Sequence, residues 1–177
     1  MGIGAKNIVL VGFMGTGKTV VSRALAGDMG KAYVSIDELI EEREKKAIND
    51  IFRDEGEPYF RRVEKEVVKE VAEKLDQVID TGGGIVLDSE NMRNLRKNGV
   101  TICLWAGPRV IYERTKGHGH RPLLNTRDPE KSIKELLDHR RSFYEKADFR
   151  VDTTDFDIAA VVERIKGIIA ELDETTA

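Results

Sequence analysis

Gly12-Phe13-Met14-Gly15-Thr16-Gly17-Lys18-Thr19 decides how this chain is read. The octapeptide fits G-x-x-x-x-G-K-[ST] and stands where that pattern has mechanical meaning. The apolar, strand-like run Asn7–Val11 precedes it, and the helical stretch Lys18–Met29 follows. Gly12, Gly15 and Gly17 let backbone N–H groups, that of Thr16 among them, turn inward around phosphate oxygens. The start of the helix adds a potential that favours anions. The spacing then predicts that Lys18 reaches the β- and γ-phosphates of a nucleoside triphosphate and that the Thr19 hydroxyl ligates Mg²⁺.

Outward from this loop the chain alternates short apolar runs with amphipathic stretches. Strands are expected at Ala32–Ser35, Gln77–Asp80, 100–105 and Phe149–Asp152. Helices are expected at 37–47, 57–75, 129–147 and 157–172, the last with Ile158, Val161, Val162, Ile165, Ile168, Ile169 and Leu172 on one stripe. Five strands separated by helices predict an α/β fold, a mostly parallel sheet covered on both faces. No repeat, low-complexity segment or Pro-rich linker divides residues 1–177, which suits one domain of ordinary size. With 29 Lys and Arg against 32 Asp and Glu, the net charge of −3 leaves no global footprint for nucleic acid or an anionic membrane. No run reaches the ~18 apolar residues of a membrane span, and the N-terminus lacks the apolar core of a signal peptide. A cytoplasmic monomer is expected. The single cysteine, Cys103, lies between Ile102 and Leu104 and reads as core.

A phosphate loop does not by itself separate kinases from other nucleotide hydrolases. The guanine-reading Asn-Lys-x-Asp motif is absent, and the chain is too short for the extra domains of most ATP-driven machines. A compact kinase using ATP on a small acceptor remains, so the acceptor side has to be found. In the 57–75 helix the stripe Phe60, Val63, Val67, Val71 is bordered by Arg61 and Glu64, whereas Arg62 points away at about 100° per residue. Arg61 reads equally as a snorkelling edge residue or as an anion binder beside a carboxylate. Arg140 falls within the stripe Ile133, Leu136, Leu137, Tyr144, where an unpaired charge would cost several kcal/mol, at about the scale known for broken buried pairs. Its partner is a structural carboxylate or, with the better match to a planar fork, the carboxylate of a substrate. Lys116-Gly117-His118-Gly119-His120-Arg121 reads as a lid over about 116–126, with Arg121 closing on the γ-phosphate. His118 and His120 have no thiolate or carboxylate cluster nearby and are read as lid residues, not metal ligands.

Taken together, these residues carry a family likeness. The phosphate loop, Ile51-Phe52…Gly56-Glu57…Phe60-Arg61-Arg62-Val63-Glu64, Gly82-Gly83-Gly84, Arg121-Pro122-Leu123-Leu124 and Arg140…Tyr144 resemble shikimate kinases in order and spacing, from about residue 7 to 170. The resemblance implies a sheet of order 2-3-1-4-5 and transfer of the ATP γ-phosphoryl group to the 3-hydroxyl of shikimate, on the way to aromatic amino acids. It further implies that Asp37 binds the acceptor hydroxyls and assists deprotonation, and that Arg61 and Arg140 hold the acceptor carboxylate. Phe52 and Phe60 line the pocket, Glu64 supports it, and Gly82, Gly83 and Gly84 let the ring approach. The acceptor segment then spans about 37–64. Arg114 resembles the residue that stacks on adenine, and the loop 153–155, with Thr153, should lie near it. Rival readings are a related kinase acting on gluconate or a nucleoside monophosphate, and an ATP-binding module without catalysis. Retention of Lys18, Thr19, Asp37 and Arg121 argues against the last.

One departure stands out. The family usually shows Asp-x-Asp at the end of strand two, where this chain has Ser35-Ile36-Asp37. Asp80 at the end of strand three is the candidate replacement in the outer shell of Mg²⁺. Capping of the glycine turn is the alternative reading of the same residue.

Overall fold

The computed structural model describes residues 6–116, 127–155 and 157–176. Five parallel strands form its sheet: β1 (Asn7–Val11), β2 (Ala32–Ser35), β3 (Gln77–Asp80), β4 (Gly99–Trp105) and β5 (Phe149–Asp152), in the order β2-β3-β1-β4-β5. The order and the strand positions are those expected, with β4 longer by one residue. Successive side chains of a strand point to opposite faces, so a strand covered on both faces must be apolar throughout. β1 is buried along its whole length. Val9 and Val11 enter one core with Phe13, Ile79 and Cys103; Ile8 and Leu10 enter the other with Val78, Ile102 and Leu104.

Helices α1 (Lys18–Met29) and α8 (Ile158–Thr176) close the second of these cores. The first is covered by α2 (Ile36–Glu44), α3 (Ile48–Asp54), α4 (Glu57–Ala72), α5 (Ser89–Lys97), α6 (Pro108–Thr115) and α7 (Pro129–Tyr144). Helix starts follow the side-chain chemistry: Ser35 caps α2 by accepting from Glu38 N at 3.2 Å, and Asp128 caps α7 by accepting from Lys131 N at 3.1 Å. Cys103 is buried among apolar neighbours, and that burial pushes its thiol up to about 11, which fits the expected core role.

Four helix ends differ from expectation, one of them that of α8, which runs on to Thr176, past the expected 172. The helix expected over 37–47 stops at Glu44, because Lys45 takes the left-handed conformation at φ 55 and a second helix starts at Ile48. No glycine or proline marks that break in Lys45-Lys46-Ala47. The 57–75 helix ends at Ala72, and the 129–147 helix ends at Tyr144, where Glu145 N donates to the Arg141 carbonyl at 2.9 Å and Lys146 N to the Phe143 carbonyl at 3.3 Å.

Candidate active site

All the expected site residues that the structure describes gather at the carboxyl ends of the parallel strands, the edge where open α/β sheets bind ligands. The phosphate loop leaves the end of β1 and enters α1 through Gly17 at φ 93. Gly12 is the tightest point: at φ +146, an added Cβ would lie 2.4 Å from the Leu104 carbonyl oxygen. Lys18 Nζ donates to the carbonyls of Gly12 at 2.8 Å and Phe13 at 3.0 Å, which bends the side chain back over its own loop. Thr16 Oγ1 donates to the Phe13 carbonyl at 2.7 Å and stiffens the turn from within. A cavity of about 560 Å³ opens beside the loop, bordered by Met14, Lys18, Thr19, Asp37, Asn49 and Gly82, among others.

Asp80 and Asp37 line this cavity, and Glu38 borders it from the start of α2. Asp80 is buried, and its Oδ2 accepts from Thr19 Oγ1 at 2.6 Å and from Tyr33 OH at 3.3 Å. These bonds tie Asp80 to α1 and β2, and among the described residues it makes none to the glycine turn, against the capping alternative. Asp37 follows the cap of α2. Burial holds its carboxyl above the ordinary aspartate value, the Lys18 ammonium opposes that rise, and the Asp80 charge adds to it. The Asp37 and Asp80 carboxylates, the Thr19 hydroxyl and the oxygens of a nucleotide are hard ligands that suit Mg²⁺. Among the described residues no group of three or more His, Cys, Asp or Glu surrounds a metal position. With Thr19 as its protein ligand, a Mg²⁺ held here would take its other ligands from phosphate and water.

The triple glycine divides its work residue by residue. A Cβ on Gly82 would lie 2.9 Å from Asp37 Oδ1, one on Gly83 would lie 3.9 Å from Arg140 Nη1, and one on Gly84 would lie 2.6 Å from Arg61 Nη2. Gly82 and Gly84 thus make room for Asp37 and Arg61, whereas a Cβ on Gly83 would make only ordinary contacts, with the phosphate-loop backbone at 3.5 Å nearer than Arg140. Arg61 Nη1 donates to both Glu64 oxygens at 3.0 Å, and its Nε and Nη2 reach Glu57 at 3.2 and 3.1 Å. Glu64 is only 1% exposed. Burial raises its pKa, the Arg61 charge works against the rise, and Asp37 adds to it. The two readings of Arg61 left open by the sequence are therefore not exclusive. Its own carboxylates orient it, and it still points its guanidinium at the glycines.

Arg140 differs. Among the described residues no carboxylate lies within ion-pair range of it; its Nη1 donates to the Gly83 carbonyl at 3.4 Å, and its guanidinium lies 5.8 Å from the Phe13 ring centroid. The structural carboxylate that one reading required is absent among those residues. Phe60 is buried and Phe52 is 37% exposed, with ring centroids 4.6 Å apart, so the pair forms an apolar wall with one edge in solvent. Arg62 is on the surface over the Tyr59 ring, as its helical position requires.

On the nucleotide side, Arg114 in α6 donates to the carbonyls of Thr153 and, at 3.1 Å, Thr154, and reaches the Gly15 carbonyl at 3.4 Å. Thr153 Oγ1 donates to the Thr16 carbonyl at 2.9 Å. Arg114, the 153–155 loop and the phosphate loop thus form one connected wall. Arg121, His118, His120 and the rest of the expected lid from 117 to 126 lie outside the described residues.

Asn49 and Tyr144 were given no role by the sequence, although Tyr144 stood in the motif that carries the likeness. Asn49 lines the cavity from the start of α3 and carried no signal, because the helix break before it is unmarked. Tyr144 donates its hydroxyl to the Gly83 carbonyl at 2.6 Å, and burial pushes its pKa up to about 12. Its signal was present: a phenol on an inward apolar stripe needs a partner for its hydroxyl.

Comparison with known proteins agrees along most of the chain. The shikimate kinase family model matches residues 14–170. A curated shikimate kinase of Thermodesulfovibrio yellowstonii is 49% identical over 160 residues, covering 90% of this chain and 92% of its own length. That of Thermoanaerobacter pseudethanolicus is 44% identical over 160 residues, covering 90% and 94%. Among solved structures, shikimate kinase from Acinetobacter baumannii in complex with shikimate superposes with a TM-score of 0.89 at 32% identity, covering 94% of each chain. A gluconokinase from Sinorhizobium meliloti, at 18% identity and a TM-score of 0.60, shares the fold.

Proposed function

The chain belongs to the shikimate kinase family, and from that premise we infer that it transfers the γ-phosphoryl group of ATP to the 3-hydroxyl of shikimate, giving ADP and shikimate 3-phosphate. One observation carries the acceptor assignment. Arg140 is half-buried at the triple glycine with no carboxylate of the described residues in range, and a carboxylate-bearing acceptor would supply the missing partner.

In this reading Lys18 and the loop amides neutralise the β- and γ-phosphates, and Mg²⁺, bound through Thr19, supplies further positive charge to the transferred group. Asp37 accepts the proton of the attacking hydroxyl. The burial that raises its pKa makes it a better base than an exposed aspartate at the same pH. Arg61 and Arg140 grip the acceptor carboxylate, with Glu64 fixing Arg61, and Phe52 and Phe60 cover the apolar face of the ring. Arg114 and Thr153 support the adenine, and the family likeness assigns Arg121 to the γ-phosphate. We take the monomer as the working unit. We place it in the cytoplasm, where ATP is supplied; no helix among the described residues is long and apolar enough to cross a membrane.

A coupled assay of ADP release with shikimate, gluconate, AMP or no acceptor tests the reading. Release is expected with shikimate and little with the others. Equal rates with all acceptors, or none with shikimate, would remove the assignment.

A further inference from the structure

The end of β2 lacks a carboxylate where the family likeness leads one to expect it. Ser35 stands there, and its hydroxyl is occupied in capping α2. In the parallel pairing of β2 with β3, the Cα partner of Ser35 is Asp80. Paired strands run about 4.8 Å apart, so a carboxylate moved across that one rung reaches nearly the same volume. Both residues line the same cavity beside Lys18 and Thr19.

Hydrogen bonding at Asp80 gives the exchange a direction. Thr19 Oγ1 donates its only proton to Asp80 Oδ2 at 2.6 Å. A hydroxyl committed as a donor to one side presents its oxygen lone pairs to the other, which is what a cation requires of it. Tyr33 also donates to Oδ2, at 3.3 Å. Oδ1 accepts no hydrogen bond from the described residues, which leaves it to the cavity and to water. β3 lies directly beside the strand of the phosphate loop, with Leu10 the Cα partner of Asp80. In other phosphate-loop proteins a carboxylate in that neighbourhood supports the cation.

We propose that Asp80 orders the water shell of the Mg²⁺ that accompanies ATP, and that Ser35 and Asp80 form a reciprocal pair across the β2–β3 rung, with the carboxylate on β3 in this chain. The proposal rests on the reading of the site as one for Mg·ATP but not on the acceptor.

Calorimetric titration with ATP and no acceptor separates the two. The quantity read is the ratio of ATP affinity in Mg²⁺ to that in EDTA. Outer-shell partners typically change metal affinity by 10–100-fold, so Asp80→Asn should lower this ratio roughly tenfold. Its ATP affinity in EDTA should stay level or rise, since a negative charge has gone. Adding Ser35→Asp to Asp80→Asn should bring the ratio back to within about twofold of the parent, at the scale of a restored outer-shell partner. Ser35→Asp alone should change it little, because the position is already served. An unmoved ratio in Asp80→Asn overturns the proposal, as does an equal loss with and without metal, which would mark Asp80 as a strut of the loop. A tenfold gain from Ser35→Asp alone overturns it without any change to Asp80. Failure of shikimate to release ADP would leave all these ratios as they are.

Discussion

Asp37 carries a conflict between stability and chemistry. Its carboxyl is held above the ordinary aspartate value, first by burial, with Lys18 opposing and Asp80 adding to the shift. The folded chain therefore keeps this proton to higher pH than the unfolded chain does. The stability linked to it is fully present below the unfolded value and is lost as pH rises through the folded one, so at neutral pH the fold bears the cost of a buried charge. Asp37→Asn removes that charge. The expected result is a kcat lower by about 10² or more, in the range of a lost general base. It should come with greater stability than the parent near neutral pH, a gain that vanishes as pH falls below the ordinary carboxylate range. Turnover assays and urea denaturation at the two pH extremes check both arms. A near-normal kcat would reduce Asp37 to a positioning residue, and a loss of stability at neutral pH would make it structural. At this scale the sequence was legible where an element imposes geometry. Arg140 was found from the helical wheel because a charge on an inward stripe has to be accounted for. Asp80 was undecided, because only the fold shows that its carboxylate turns to Thr19 and away from the glycines.

The turn after β3 is the element on which the acceptor assignment depends. Gly84 has φ −94 and ψ −5, a conformation open to any residue, so alanine introduces no backbone strain there. The added Cβ instead meets Arg61 Nη2 at 2.6 Å. The far end of an arginine can move aside cheaply, so the fold should survive while the guanidinium leaves its place. Weakening one charge-assisted contact costs about 1.5–3 kcal/mol. Gly84→Ala should therefore raise the KM for shikimate roughly tenfold or more, with the KM for ATP within about twofold of the parent. Steady-state kinetics with each substrate varied in turn decides it. An unmoved shikimate KM would separate Arg61 from the acceptor, and an equal rise for ATP would mean that the turn supports the phosphate loop instead. Elements with strong punctuation were readable in advance: α1 between Gly17 and Gly30, and α7 from Asp128-Pro129 onward. The α2–α3 break was not, since Lys45 enters the left-handed region without the glycine that usually signals it, and Asn49 was missed with it.

For the whole molecule, alternation of strands and helices made the parallel sheet legible, whereas nothing in periodicity ranks strands side by side. The order β2-β3-β1-β4-β5 came from the family likeness and is what the structure has. That order puts β1 at the centre, with alternate side chains feeding both cores, so neither core can open without disturbing the phosphate loop at its end. We propose on this ground that residues 1–177 unfold as one cooperative domain and that a ligand at the loop stabilises all of it. ATP with Mg²⁺ at about 100 times its Kd adds about 2.7 kcal/mol. For a domain of this size each kcal/mol moves Tm by about 2–4 °C, so a rise of about 5–10 °C is expected. Scanning calorimetry should give a single transition whose calorimetric and van't Hoff enthalpies agree, displaced upward without splitting. Arg140→Ala should keep most of the shift from ATP and lose most of the shift from shikimate, because its guanidinium hydrogen-bonds to the glycine turn and meets the phosphate loop only at the Phe13 ring. Two separate transitions, with only one responding to ATP, would divide the molecule into independent units. A variant that loses both shifts together would place Arg140 in the framework common to the two substrates, and the acceptor carboxylate would then need another partner.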